Sequence, residues 1–317
     1  MTMELRKLGE TGLEVSALGL GAANLGGVYG AVDEAEAIAT VHRAFELGVN
    51  LFDASPYYGA TRGEVVLGKA LRDLPRADFV LSTKAGRYGE NEFDFRPERL
   101  MQSLDESLQR LQVERVDLFL LHDVEFADLD MIFGTALPAL HDLKATGKLG
   151  HVGISGLPLE VFRRAFQVDA PLDVALSYCH ATLFDGTLLE LVPQFRDRGV
   201  GLLNASAAAM GLLSNGGPPA WHPASAACKA ACARAATLCA ERGTELAELA
   251  LGYTATLAGP AATICGTASV PQIEANVRAV STAPDPDLLS EVQLLLAPIQ
   301  NASWPQGLAT NQGIAGS

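Results

Sequence analysis

The stretch FVLSTKAGRYGENEFDFRPERLMQSLDESLQRLQVERVDLFLLH, residues 79–122, contains the unit from which the rest of the chain is built. It opens on an apolar run ending at Lys84 and closes on another ending at His122. Between them Leu100, Leu104, Leu108 and Leu111 recur at spacings of three and four, which predicts a helix over 97–111 with one apolar face. Similar runs lie at 15–21, 49–53, 150–155, 174–177, 200–205 and 263–266, making eight in all. Segments of helical period separate them, for example 33–47, 129–146 and 187–198. Eight alternating strand–helix units in 317 residues predict an α/β fold, a (β/α)8 TIM barrel.

Residues 5–15, with Gly9 and Gly12, read as an N-terminal β-hairpin ahead of the first barrel strand, placed to close the barrel floor. No linker divides the chain, so 1–317 is expected to form a single barrel domain. The Gly/Pro cluster at 216–219 reads as a long loop after the seventh strand, and the Ala-rich 224–240 as a helix. A C-terminal extension follows the last unit, and its small, polar end, 305–317, reads as a mobile tail.

Composition narrows the function. Lys+Arg 23 against Asp+Glu 37 leaves 23 − 37 = −14, a surface that repels phosphate backbones and argues against nucleic acid or an anionic membrane as partner. With 49% hydrophobic and 19% charged residues the chain can bury a large core. No apolar run is long enough to span a bilayer, and residues 1–10 are charged with no apolar stretch after them. The odd count of five cysteines argues against a disulfide framework, so a cytoplasmic location is expected. Cys228 and Cys232 are four apart in the Ala-rich helix with no histidine pair nearby, and read as packing thiols rather than metal ligands. No metal is expected.

Reactive groups in such a barrel sit where strands end. The second run ends in Asp53, with Tyr58 five residues on. The third ends in Lys84, and the fourth in His122. A lone histidine at a strand end is more often a satisfied polar group. Four polar groups at neighbouring strand ends point to one reactive mouth. A free phenol near pKa 10 is a poor base at neutral pH. An adjacent Lys84 ammonium is expected to lower it, with Asp53 holding that lysine charged and His122 hydrogen-bonding the reacting oxygen. The set suits a carbonyl or alcohol whose proton moves as a hydride leaves or arrives.

In order, spacing and strand position, Asp53, Tyr58, Lys84 and His122 resemble the catalytic tetrad of the aldo-keto reductase superfamily, and the resemblance runs from about Leu5 to Trp304. It implies a nicotinamide nucleotide bound without a Rossmann fold. The segments FDASPYYG (52–59), SYCH (177–180), AMGLL (209–213) and GPPAWHPAS (217–225) resemble the L-galactose dehydrogenase branch. That branch oxidises L-galactose at C1 with NAD to L-galactono-1,4-lactone, a step in ascorbate synthesis. Dehydrogenases of L-fucose and D-threo-aldoses are similar in sequence.

The resemblance places the adenosine end of the nucleotide at 266–276, with Gly266, Thr267, Ser269, Gln272 and Asn276 as contacts. Relatives that prefer NADP carry Lys or Arg here for the 2′-phosphate, whereas this chain has neither between Arg242 and Arg278, which favours NAD. Gln272 stands where those relatives often carry Arg. Ser155 matches the position that meets the carboxamide, and Ser206 and Gly211 the loop over the pyrophosphate. Three positions depart from the wider pattern: Ser177 for a Gln at the nicotinamide, Ala205 for the Tyr that stacks beneath it, and Ala275 for a Glu beside Asn276. Tyr178 is a candidate for the missing ring if it faces inward.

Tyr88, His180, Trp221 and Trp304 are candidates for the sugar pocket, the indoles because they stack on a sugar's apolar face. The competing readings are oxidation of another aldose, a non-catalytic nucleotide-sensing subunit, and a hydrolase. The last would need paired carboxylates, and only Asp53, with Asp123 beside His122, is available. A small-molecule sugar is the expected partner.

Overall fold

The computed structural model describes residues 3–312. Its strands are β1 (Leu5–Lys7), β2 (Glu14–Ser16), β3 (Leu18–Gly21), β4 (Leu51–Asp53), β5 (Val80–Ala85), β6 (Val116–Leu121), β7 (Leu149–Gly156), β8 (Val174–Tyr178), β9 (Gly201–Ala205) and β10 (Ala262–Gly266). From β3 to β10 they pair in parallel in chain order, and β10 closes on β3. The helices are α1 (Glu34–Glu46), α2 (Arg62–Leu71), α3 (Pro97–Leu111), α4 (Leu129–Met131), α5 (Leu137–Lys144), α6 (Glu160–Gln167), α7 (Val192–Asp197), α8 (Ala226–Glu241), α9 (Leu246–Ala255), α10 (Val270–Ser281) and α11 (Pro286–Leu296). This is the (β/α)8 barrel that the alternation predicts.

Local chemistry sets the element ends. Asp33 accepts from the Glu36 amide and caps α1. Pro97 occupies the first turn of α3, whose apolar stripe Leu100, Leu104, Leu108 and Leu111 is buried against the sheet. Strand alternation then sorts the side chains. Leu51, Val80, Leu118, Val174, Leu203 and Ala262 fill the barrel, and Leu8 and Val15 of the β1–β2 hairpin close its floor.

Two expectations are corrected. The run 15–21 is not one strand, because Val15 ends in the hairpin and the barrel strand begins at Leu18. Ser16 makes the corner between them, its hydroxyl donating to the Leu18 carbonyl at 2.6 Å and its amide to Asn50 Oδ1 at 2.7 Å. The expected mobile tail is also anchored over 305–312. Leu308 N–H and Asn311 Nδ2 donate to the Glu125 carbonyl at 2.8 and 2.9 Å, and Asn311 Nδ2 also reaches the Ala127 carbonyl at 2.8 Å. Small polar residues look free in sequence because their partners lie far away along the chain. Residues 313–317 lie outside the described residues. Among the described residues, no helix is long and apolar enough to cross a membrane.

Candidate active site

The inward positions of β4, β5 and β6 end in Asp53, Lys84 and, one residue past the strand, His122. Tyr58 follows β4 on a turn closed by Gly59, which has φ +62° and lies against the Gly26 carbonyl where a Cβ would collide. Lys84 ties the group together. Its ammonium donates to Asp53 Oδ2 at 2.5 Å, to the Ala54 carbonyl at 2.9 Å and to Tyr58 Oη at 3.2 Å. Ser82 Oγ donates to the other Asp53 oxygen at 2.8 Å. An ammonium and a carboxylate this deeply buried persist only because each finds several partners.

His122 stands edge-on to Tyr58, with ring centroids 5.6 Å apart at 88°. Ser55 Oγ accepts the Tyr57 amide at 3.1 Å and lies 2.8 Å from His122 Nδ1. The hydroxyl can donate while it accepts that amide, so we assign its proton to Nδ1 and the ring hydrogen to Nε2, which lies 3.7 Å from the Asp123 carboxylate at the mouth. Burial lowers His122 to about 3, so it is a neutral donor throughout the working range.

The expected lowering of Tyr58 is corrected. Burial, followed by the negative charges of Asp53 and Asp123, raises its phenol well above the ordinary value. Asp53 offsets the charge that Lys84 brings, and burial then dominates. The resting site therefore holds Tyr58 protonated.

The nucleotide-side residues are placed less uniformly. Gly21 and Gly266 end the adjacent strands β3 and β10, and a Cβ on Gly266 would meet Asn24 Oδ1 and the Gly21 carbonyl. The Asn24 side chain fills the space that a Cβ would take beside that rim. Thr267 Oγ1 donates to Gln272 Oε1 at 2.6 Å and accepts from Ser269 N–H at 3.1 Å at the start of α10. Asn276 is buried and its amide nitrogen makes only a 3.6 Å contact with Cys265 Sγ, so its hydrogen-bonding capacity is largely unspent. Ser206 has φ +57° and Gly211 φ +92°, in a loop whose Gly211 amide is already used on the Ala208 carbonyl at 3.0 Å. Ser155 accepts from the Asp123 amide at 3.2 Å and so braces the loop that carries His122.

Ser177 does not join this site. Val174, Leu176 and Tyr178 take the inward positions of β8, and alternation turns Ser177, like Ala175, toward the helical layer. Tyr178 faces the mouth instead. Its hydroxyl donates to Glu125 Oε1 at 3.3 Å, and Gln306 Nε2 donates to both groups.

The four sugar-pocket candidates are each held by protein contacts. Tyr88 packs back on α3 beneath the Arg99 guanidinium, 3.9 Å from its ring. His180 Nδ1 is held within its own loop by Asp185 Oδ2 at 2.8 Å. Trp221 is 55% exposed and tilts against Tyr29 at 6.1 Å. Trp304 is buried, edge-on to His222 at 4.9 Å, with its indole N–H unpartnered. Each follows a loop path that strand spacing does not encode.

The sequence reading missed Ser55, Arg87, Glu125 and Gln306. Glu125 is fully buried, and burial together with the charge of Asp123 raises its carboxyl to about 8. The folded protein therefore keeps a proton that the unfolded chain releases near pH 4.3. This contribution to stability is complete below that pH and is lost as pH rises through about 8. We expect Glu125→Gln to remove the decline, so that the melting temperature of the variant relative to wild type increases from pH 5.5 to 8.5. A constant difference in thermal melts across that range would contradict this.

A family model for the aldo/keto reductases matches residues 17–296. The chain is 48% identical to L-galactose dehydrogenase of Arabidopsis thaliana, covering 98% of this chain and 99% of that protein. It is 33% identical to D-threo-aldose 1-dehydrogenase of a Pseudomonas species, covering 65% and 70% respectively. The holo form of an aldo-keto reductase from Bacillus halodurans has the same fold, with a TM-score of 0.76 at 26% identity over 98% of this chain and 99% of that one. Eight parallel strands in sequential order, four polar groups joined at their ends and a family match over most of the sequence lead to one conclusion: the chain belongs to the aldo/keto reductase family.

Proposed function

We propose that the protein is an NAD-dependent aldose dehydrogenase that oxidises L-galactose at C1 to L-galactono-1,4-lactone, the reaction that serves ascorbate synthesis. The observation that carries this reading is the hydrogen-bonded set Asp53–Lys84–Tyr58 facing the Nε2 of a neutral His122. The similarity to L-galactose dehydrogenase supports the choice of sugar.

The buried and underused amide of Asn276 fits a nicotinamide nucleotide. When bound in its oxidised form, that group supplies a hydride acceptor and a positive charge that favours a phenolate. The sugar enters as its cyclic hemiacetal. His122 Nε2–H donates to the C1 oxygen, and Tyr58 Oη, once its phenol has released its own proton to solvent, takes the hydroxyl proton as the C1 hydrogen departs with its electron pair. Lys84 stabilises the phenolate across 3.2 Å, and Asp53 keeps Lys84 in place without touching the sugar. The C1 carbon becomes the lactone carbonyl, so no water is consumed.

Preference for NAD is supported by charge. The Arg43 guanidinium of α1 reaches α10, and it is occupied by Glu274 at 2.8 Å and Glu46 at 3.0 Å. A 2′-phosphate would meet Gln272 and the carboxylate of Glu274 with no free cation between Arg242 and Arg278. The similarity to D-threo-aldose 1-dehydrogenase favours a second reading, in which L-fucose or another aldose is the true substrate.

The test is NADH formation by the purified protein with L-galactose, L-fucose and D-galactose, each with NAD or NADP. Turnover of L-galactose with NAD, at least tenfold better than with NADP, is expected. Turnover of only another sugar would keep the mechanism and overturn the substrate. Tight NAD binding with every sugar inert would favour a nucleotide-sensing subunit.

A further inference from the structure

Beside the tetrad lies a second buried charge pair that the reaction just described does not use. Arg87, in the loop after β5, and Asp123, directly after His122, have side chains only 11% and 5% exposed. Arg87 Nη1 donates to Asp123 Oδ2 at 2.5 Å, and its guanidinium lies 3.9 Å above the Tyr57 ring. Asp123 has φ +52°, a left-handed backbone that an L-residue adopts at some cost. This turn puts its carboxylate back over the mouth, with Oδ2 3.7 Å from His122 Nε2, the atom assigned to the reacting oxygen. Both charges also act on the Tyr58 phenol, which places them at the same mouth.

We propose that Asp123 and Arg87 together bind the hydroxyl on the carbon next to the reacting one, and so select sugars and other α-hydroxy carbonyl compounds over plain aldehydes and alcohols. This rests on the dehydrogenase reading of the site. The chemistry follows from the groups that remain free. Among the described residues, the side-chain hydrogen bonds of Asp123 fall on Oδ2, leaving Oδ1 as an acceptor. Arg87 spends Nη1 on Asp123 and Nε on the Gly89 carbonyl at 3.4 Å, leaving Nη2 as a donor. A sugar hydroxyl is both donor and acceptor, so one such group satisfies both. In a hemiacetal the hydroxyl at C2 is the one that comes within reach when the C1 oxygen sits on His122 Nε2. A hydrogen or alkyl group there would leave Asp123 Oδ1 and Arg87 Nη2 without partners in a desolvated site.

The test compares kcat/KM for the sugar the enzyme oxidises best with that for its 2-deoxy analogue. Wild type is expected to favour the hydroxylated sugar by about tenfold to a hundredfold. In Asp123→Asn and Arg87→Met the ratio should fall to within about threefold of unity. Taking a ratio cancels changes in Tyr58 acidity, because both sugars react through the same phenol. A purely structural ion pair would lower both values and leave the ratio unchanged, which overturns the proposal. If either variant fails to fold, the wild-type ratio decides, and a value near one overturns it. If no aldose turns over, the dehydrogenase reading falls by itself. The pair is then read in the reductive direction with 2-hydroxypropanal against propanal, where equal kcat/KM values overturn it.

Discussion

Tyr58→Phe is expected to lower kcat for sugar oxidation by about a hundredfold to ten-thousandfold, with nucleotide affinity changed by no more than about twofold. The substitution removes one atom and little else. The ring remains edge-on to His122 at 5.6 Å and stays under the Lys84 ammonium, 4.9 Å from its centroid. Lys84 retains Asp53 and the Ala54 carbonyl as acceptors, so the variant should fold as wild type does. What disappears is the hydroxyl, held beside Lys84 at 3.2 Å, that is placed to exchange a proton with an oxygen held by His122. The pH profile provides a second readout. Because burial and Asp53 hold the phenol protonated, the wild-type oxidation rate should climb steadily through the neutral and alkaline range. Residual turnover in the phenylalanine variant should lose that climb, since a neutral His122 offers no titration in its place. Steady-state kinetics with a fluorescence titration of the nucleotide separates the two effects. Activity within tenfold of wild type would remove Tyr58 from the proton step.

The barrel is legible in the sequence because its strands are short and apolar on both faces. Leu118 and Leu120 fill the barrel while Phe119 and Leu121 meet the helices, and the run from Val116 to His122 follows directly. The tetrad is legible for the same reason, since Asp53, Lys84 and His122 each stand where such a run stops. Spacing along the chain does not report loop paths. Nothing in the order of residues indicates that the loop carrying Arg87 folds onto Asp123, or that Gln306 returns across the barrel to Glu125. Nor does it report how deeply a group is buried. The sequence supplies a lysine beside Tyr58 and so suggests an acidic phenol, but desolvation reverses the direction. Tyr178 illustrates the intermediate case. Alternation limits it to two orientations, and the register of β8, with Leu176 inside, selects the inward one.

Lys84→Met should cost both stability and turnover, and a second substitution can separate the two. Lys84 is 1% exposed and, among the described residues, is the cation paired with Asp53, whose other hydrogen bond comes from a neutral hydroxyl, Ser82. Removing the ammonium leaves a carboxylate desolvated and uncompensated, a loss of about 3–5 kcal/mol by the usual cost of breaking a buried pair. Asp53→Asn strands the lysine instead. It should destabilise less, because Ala54 O and Tyr58 Oη still accept from the ammonium. The double variant Lys84→Met/Asp53→Asn removes both charges, so its stability should exceed that of Lys84→Met alone even though it carries more changes. Its turnover should not recover, because Tyr58 has lost the donor at 3.2 Å that stabilises its phenolate. Chemical denaturation and kcat measured on all four proteins therefore yield two cycles of opposite character, strongly non-additive for stability and dominated by Lys84 for catalysis. Stability losses that simply add would mean that the two charges do not compensate each other. Restored turnover in the double variant would mean that Lys84 serves only to neutralise Asp53 and takes no part in moving the proton.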